Sequence, residues 1–554
     1  MSITIYSARR IITMNPSNPF ATHVAVRDGM ILGVGSLEDV AVWGDYEIDE
    51  GFAEKIITPG FVEAHAHVME GATALMPYVG YFDRALPDGS TAVGVRSYAE
   101  LIQRLQAIDA AMQDPDEPLI ARGFDPIYFA DSEARLDKHH LDQASSRRPI
   151  FLYHASGHLA TVNSAMLALD GIDTSSRVTG VGRDEAGELN GELREPPAMA
   201  LCKTGYRAVM RANNTQAALW NFAHSARNAG ITTCTDLAGS LILNPKSKSM
   251  WQDTTSDPDF PLRVAMYNIP AMPGESADFT DIAETVVRLQ QEATDKLRFP
   301  GVKFVLDGSI QGWTALMKAP GYLTGDDHGQ LLAVPEQLTD WLMPFHRAGL
   351  NIHMHCNGNL TQDLAIDAIE TLLRKDPWLD HRHTITHAQL TTQAQLRKMA
   401  RLGLCANFFA NHLWFWGDQH FEQTVGPERA NQLEPCASAL RERVPFAIHS
   451  DAGVTPLGQL HTMWCAVNRR TPKGRVLGEA EKLTPEQALH SVTIGAAYQL
   501  HLDAEIGSIE AGKRADFAIL DEDPLRVDPI KIKDIGVWGT LLGGIKYKAA
   551  KPCS

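Results

Sequence analysis

Pro59-Gly60-Phe61-Val62-Glu63-Ala64-His65-Ala66-His67 is the stretch on which the reading of this chain turns. A Pro-Gly break leads into an apolar run, and the run ends in two histidines one residue apart. Side chains on a strand alternate faces, so His65 and His67 point the same way and can grip one ion. His-X-His by itself is weak, because two unrelated histidines are the commoner case. Its place at the end of a strand-like run after Pro-Gly turns the reading toward a metal pair.

Outward from this stretch the chain alternates. Strand-like apolar runs cover 57–64, 149–154, 230–235, 263–267, 302–306, 351–355, 384–387, 404–408 and 446–449. Between several of them lie helical patterns at 98–112, 216–229, 281–293, 361–374 and 392–401. Strands alternating with helices of this length indicate a parallel α/β core, and about eight repeats point to a (β/α)8 barrel. A surplus segment, roughly 75–225, reads as an inserted lobe over the barrel mouth.

Both ends have another character. Ile3-Tyr6, Ile11-Met14 and His23-Arg27 lead to an Asp28-Gly29 turn and Met30-Val34, a strong hairpin signal. The last fifty residues, with 515–520, 536–541 and 545–547, are equally β-rich. The expected architecture is therefore α/β: a (β/α)8 TIM barrel over 59–504, with a composite β-sandwich built from 1–58 and 505–554.

Later strand ends supply further donors. Lys303 lies in the apolar run Val302-Lys303-Phe304-Val305-Leu306-Asp307-Gly308. Such a lysine is paired, deprotonated or modified if buried, and a solvated edge residue if not. A carbamate on its Nζ would make it an anionic ligand able to bridge two ions. Asn351-Ile352-His353-Met354-His355-Cys356-Asn357-Gly358-Asn359 holds a second His-X-His; Thr384-Ile385-Thr386-His387 ends in histidine; Ile448-His449-Ser450-Asp451 ends in aspartate. Singly each is more often structural. Jointly they fall at the carboxyl ends of successive strands, the face where barrel enzymes place their sites.

The ligand types suit Zn²⁺, Mn²⁺ or Fe²⁺. Such an ion lowers the pKa of bound water and polarises a carbonyl. Asp451 is the candidate to take that water's proton and return it to a leaving amine. His387 or His355 could donate to the leaving group or to the developing oxyanion.

At this point the pattern resembles the amidohydrolase superfamily, and within it the YtcJ-like branch that includes N-substituted formamide deformylases. The resemblance runs nearly end to end. Residues 59–67 match the first-strand motif, Lys303 to Ser309 the fourth-strand lysine with Asp-Gly, and His355-Cys356-Asn357-Gly358 the fifth-strand histidine, which favours His355 over His353. His387-Ala388-Gln389 is similar to the sixth-strand ligand, Ser450-Asp451 to the eighth-strand aspartate, and 506–516 to the closing motif where the chain re-enters the sandwich. The resemblance implies a mono- or binuclear centre, usually zinc, held by His65, His67, Lys303, His355, His387 and Asp451. Carboxylated Lys303 is the bridge where two ions bind. It further implies hydrolysis of amide, formamide, ester or other C–N bonds, and a homodimer.

Two positions depart from the family. Glu63 stands where aspartate is usual and shifts a carboxylate behind the ligands, while Asn359 replaces a frequent aspartate and changes a pocket hydrogen bond. Neither removes a ligand. The segments 155–164 and 190–195 resemble the branch's inserted-lobe motif, so His158 is a candidate to reach substrate, with a structural histidine as the alternative. In 411–418, His412 and Trp416 are candidates to wall an apolar acyl or amine group, with core packing as the alternative.

Composition bounds the rest. A chain of 554 residues is about right for a large barrel with an accessory domain, and 44% hydrophobic with 21% charged residues is ordinary globular usage. A net charge of −17 disfavours nucleic-acid and membrane-surface partners and says nothing positive about the substrate, which the barrel-end site leads us to expect is a small molecule. The start lacks a signal-peptide layout, and no apolar stretch would span a bilayer. Seven scattered cysteines without a CxxC pair read as buried small hydrophobes in a reducing cytoplasm.

The function expected is hydrolysis by attack of metal-bound hydroxide with Asp451 as proton shuttle. A metal-dependent decarboxylase or lyase on the same scaffold, or an inactive binding subunit, are the rivals.

Overall fold

The computed structural model describes residues 2–129, 135–239, 243–271, 277–325 and 328–550, so Cys553 lies outside the described residues. The other six cysteines are free and buried. The chain divides into two compact units. One comprises residues 2–67, 223–452 and 457–550, the other 68–222 with 453–456.

The first unit carries the barrel. Its eight strands pair in parallel in chain order: Phe61–Glu63, Ile231–Asp236, Arg263–Asn268, Leu297–Val305, Asn351–Cys356, Thr384–His387, Cys405–Phe408 and Phe446–Ile448. These strands are buried almost throughout, as expected when helices cover the outer face and side chains fill the centre. Of the expected helices, Gln216–Asn228, Phe279–Gln291, Asn359–Lys375 and Gln393–Leu402 are present here, while the pattern at 98–112 is the helix Tyr98–Ala111 of the second unit. Two further helices are Pro335–Arg347 and Gln459–Asn468. The edges of the sheet, strands one and eight, meet through an isolated Ala66–Ala452 bridge and the His67 N–H to Ala452 carbonyl bond of 3.0 Å.

The two chain ends build the composite β-domain as one hydrogen-bonded seven-stranded sheet. From one edge to the other its strands are Ile545–Lys548, Val537–Leu542, Phe517–Leu520, Tyr46–Pro59, Ile3–Ile12, Phe20–Arg27 and Met30–Gly35. Asp28 and Gly29 turn the hairpin with φ of 53° and 76°, the left-handed geometry a tight two-residue turn needs. Ile11, Val24, Phe52, Ile57, Phe517 and Ile519 form its core, so the returning chain completes what the amino end began.

The second unit is a lobe with its own five-stranded sheet, ordered Val181–Arg183, Leu189–Arg194, Leu159–Val162, Ile150–His154, Leu119–Phe124. The run at 149–154 therefore serves this sheet, not the barrel. Within the lobe, buried Arg122 donates to the carbonyls of Met69 and Gly453, while Glu70 accepts from the Gly453 N–H and from Arg84. No helix among the described residues is long and apolar enough to cross a membrane.

Candidate metal centre

The barrel strands deliver their donors at one end. Asp451 Oδ1 lies 3.2 Å from Nε2 of His65 and 3.2 Å from Nε2 of His67, and its Oδ2 lies 3.9 Å from Nδ1 of His387. Single donor atoms of His65, His387 and Asp451 all fall within 4.8 Å of one another. Lys303 Nζ reaches to 3.5 Å from Nδ1 of His65. His67 Nδ1 is a buried atom without a hydrogen-bond partner, an arrangement disfavoured unless something binds it.

The backbone at the site is strained. His387, Ala388 and Asp451 hold φ values of 68°, 50° and 51°, a region that costs non-glycine residues about 1 kcal/mol or more each. Such conformations persist where surrounding contacts over-determine them.

Those contacts are present. The Asn407 amide donates to the Ala64 carbonyl at 3.0 Å, which leaves its oxygen to accept from His449 Nδ1 at 2.8 Å. His449 Nε2, 3.2 Å from His387 Nδ1, is then the acceptor. This chain holds His387 with its proton on Nδ1 and a lone pair on Nε2, the neutral form that ligates metals. Glu63 accepts the His65 N–H at 3.0 Å and the Ser450 hydroxyl at 2.5 Å.

Electrostatics follow from burial. Burial, with the Lys303 charge adding to it, holds His65 well below the ordinary histidine pKa, and burial followed by His355 does the same to His387. Burial lowers Lys303 to about 7 and raises Glu63 to about 8. Burial also pushes the Asp451 carboxyl up, but His65, His67 and His387 outweigh it and hold the group well below the carboxylate range. The cluster is thus neutral imidazoles around a firm carboxylate, a donor set that fits a divalent transition-metal ion.

His355 lies beside this group, its ring 4.4 Å from that of His387, with Nε2 3.0 Å from the Gly308 carbonyl. His353, two residues earlier on the same strand face, is fully buried against Tyr267 at 4.5 Å. Asp307 accepts from the N–H groups of Leu316, Asn357 and Gly358 and from the Thr361 hydroxyl, tying the fourth and fifth strand ends together. Asn359 accepts the Lys318 N–H at 2.9 Å, which anchors the loop after strand four.

His412 is buried, its ring 3.9 Å from Phe409 and its Nδ1 2.8 Å from Glu434. Trp416 is buried beside it at 5.4 Å. His158 belongs to the lobe, where its Nδ1 meets Glu195 at 2.9 Å. Sequence reasoning had no role for His449, Asn407 or Glu434. His449 stands two residues before Asp451, which is a signal, whereas Asn407 and Glu434 carry none.

Residues 53–545 match the model of the amidohydrolase family. The chain belongs to the amidohydrolase family. Among its relatives, the N-substituted formamide deformylase of Arthrobacter pascens is 26% identical over 547 residues, covering 96% of this chain and 96% of the relative. The protein LONG AFTER FAR-RED 3 of Arabidopsis thaliana is 26% identical over 525 residues, 92% of this chain and 85% of that one. The putative amidohydrolase YtcJ of Bacillus subtilis (strain 168) is 24% identical over 559 residues, 96% of this chain and 97% of that protein. Among solved structures, an uncharacterized metal-dependent hydrolase from Pyrococcus horikoshii superposes with a TM-score of 0.70 at 21% identity, covering 95% of this chain and 99% of that one. That likeness gives this amidohydrolase its fold, a TIM barrel with a sheet-rich domain.

Proposed function

We propose that this amidohydrolase is a metal-dependent hydrolase that cleaves an amide, a formamide or another carbon–nitrogen bond outside peptides, or a related ester bond. The observation that carries the reading is the Asp451 carboxylate, set 3.2 Å from two histidines of the first strand end and 3.9 Å from a third on the sixth. His65, His67, Lys303, His355, His387 and Asp451 would hold one or two divalent ions, zinc in the first instance, with carbamylated Lys303 as the bridge. When bound, such an ion lowers the pKa of water and polarises a carbonyl.

The chain's own residues do the rest. Asp451 takes the proton of the attacking water on a carboxylate oxygen and passes it to the leaving nitrogen. The His387–His449–Asn407 chain keeps the sixth-strand imidazole in one tautomer throughout. Glu63 holds Ser450, the residue before Asp451, and the backbone N–H of His65, so the shuttle keeps its aim.

The test is amine release from N-alkylformamides and longer N-acyl amines, and phenol release from aryl esters, by the zinc-reconstituted protein with and without a chelator. Chelator-sensitive release supports the reading. Carbon dioxide release from carboxylate-bearing analogues of these compounds, with no amine or phenol released, would replace it with the lyase alternative. Metal-loaded protein that turns over none of these would favour a binding subunit.

A further inference from the structure

Two charged side chains of the lobe grip the chain just past two of the candidate ligands. Met69 and Glu70 follow His67 directly after Val68, and Gly453 follows Asp451 after Ala452. The Arg122 guanidinium donates to the Gly453 carbonyl at 3.0 Å and to the Met69 carbonyl at 3.3 Å, so it spans both segments. Glu70 Oε2 accepts the Gly453 N–H at 3.0 Å, so both polar backbone groups of Gly453 are held. Gly453 has a φ of 107°, a conformation that favours glycine, and a Cβ there would stand 2.9 Å from Cε of Met69.

Stability alone does not account for Arg122. It is 1% exposed and makes no ion pair among the described residues, because Glu70, the carboxylate beside it, pairs with Arg84. Its Nε has no hydrogen-bond partner. Two buried guanidinium groups therefore share one carboxylate, and a buried charge left without a counter-ion costs stability. What the arrangement supplies is register. Met69 stands two residues after His67 and Gly453 two after Asp451, while Nε2 of His67 and Oδ1 of Asp451 lie 3.2 Å apart. Two residues of backbone leave little slack, and a binding constellation has to be held to within about 0.5 Å. Asp451 also keeps a φ of 51°, which persists only where its surroundings enforce it.

We propose that Arg122 and Glu70 are positioning residues of the candidate metal centre: by fixing Met69 against Gly453 they set the spacing of His67 and Asp451. The role rests on the metal-centre reading above.

The experiment uses the full chain and reads metal binding apart from stability. Zinc affinity is measured by competition with a chelating dye, coordination by the visible absorption of the cobalt-loaded protein, and stability by the melting temperature without metal. The control is Arg148→Met, because Arg148 is another buried arginine of the lobe that donates to two carbonyls, those of Asp114 and Glu117, far in sequence from any candidate ligand. Both Arg122→Met and Arg148→Met lower the melting temperature. Arg122→Met also weakens zinc binding by about 10-fold or more, the scale of groups that orient metal ligands, and alters the cobalt spectrum; Arg148→Met does neither. Glu70→Gln, which keeps an acceptor for the Gly453 N–H, holds zinc more tightly than Glu70→Ala; equal affinities remove Glu70 from the role. Gly453→Ala keeps every charge and strains the same junction, so it follows Arg122→Met and decides the matter if that variant does not fold. Wild-type zinc affinity and cobalt spectrum in folded Arg122→Met, or in Gly453→Ala in its place, overturn the positioning role, as does an equal loss of zinc in Arg148→Met. A wild type that binds neither ion overturns the metal-centre reading and the positioning role together, a result distinct from tight binding in every variant.

Discussion

Glu63 and Ser450 are joined by two hydrogen bonds across the seam of the barrel: the Ser450 hydroxyl and N–H donate to Oε2 of Glu63 at 2.5 and 3.1 Å. The other oxygen of Glu63 takes the His65 N–H. One buried carboxyl therefore ties the residue before Asp451 to a first-strand ligand, at the place where the strands share only an isolated bridge. Ser450→Ala leaves that carboxyl short of a donor and is expected to destabilise the protein by about 1–3 kcal/mol. It should also weaken metal binding, because the aspartate loses its brace. Thermal melts with a zinc titration check both; unchanged metal affinity would contradict the bracing role.

Acid should unfold this protein early. His154 and His420 are buried and His461 is partly buried, and burial lowers them to about 3, 3 and 4. The folded values lie below the unfolded value near 6.5, so their contribution is fully present above pH 6.5 and is lost as pH falls toward 3–4. Each takes away about 1.4 kcal/mol per pH unit within that window. The melting temperature should fall steeply between pH 6.5 and 5, and less steeply in His154→Asn; a flat profile would contradict this.

The returning chain is fastened by charge. Arg263, at the start of the third strand, is buried against Asp516 at 2.7 Å, and Asp516 also accepts the Gly543 N–H at 2.7 Å. Asp516→Asn removes one of the two carboxylates on the buried guanidinium, Asp295 being the other, so the loss is smaller than the about 3–5 kcal/mol of a fully broken buried pair. The melting temperature should drop while metal content per folded chain stays unchanged, since the site lies at the other end of the strands.

Much of the site was legible because its donors end apolar runs. His65, His67, His387 and Asp451 each close a strand-like segment, and a barrel gathers strand ends whatever lies between them. The supporting residues were less legible. Asn407 works through His449, 42 residues away, and Glu434 sits in a loop whose sequence gives no period to read. The run 149–154 looked like the barrel's strands because a buried strand has the same apolar composition in any sheet. Its pairing with Leu159–Val162 and Leu119–Phe124 is tertiary information.

Lys303 offers a separate test of nuclearity. Its amine is buried 3.5 Å from His65. If it bridges two ions as a carbamate, Lys303→Ala should lower the metal bound per chain and make the remainder easier to strip with a chelator. Equal stoichiometry and affinity in wild type and variant would confine the site to one ion held without the lysine.

The measurement that bears most directly on the central claim is metal content by elemental analysis, for the wild type beside Asp451→Asn, both after growth with added zinc. A divalent metal centre predicts at least one ion per wild-type chain and a marked loss in the variant, with both proteins folded. Metal-free wild type, or a variant that binds as much as the wild type, would contradict it.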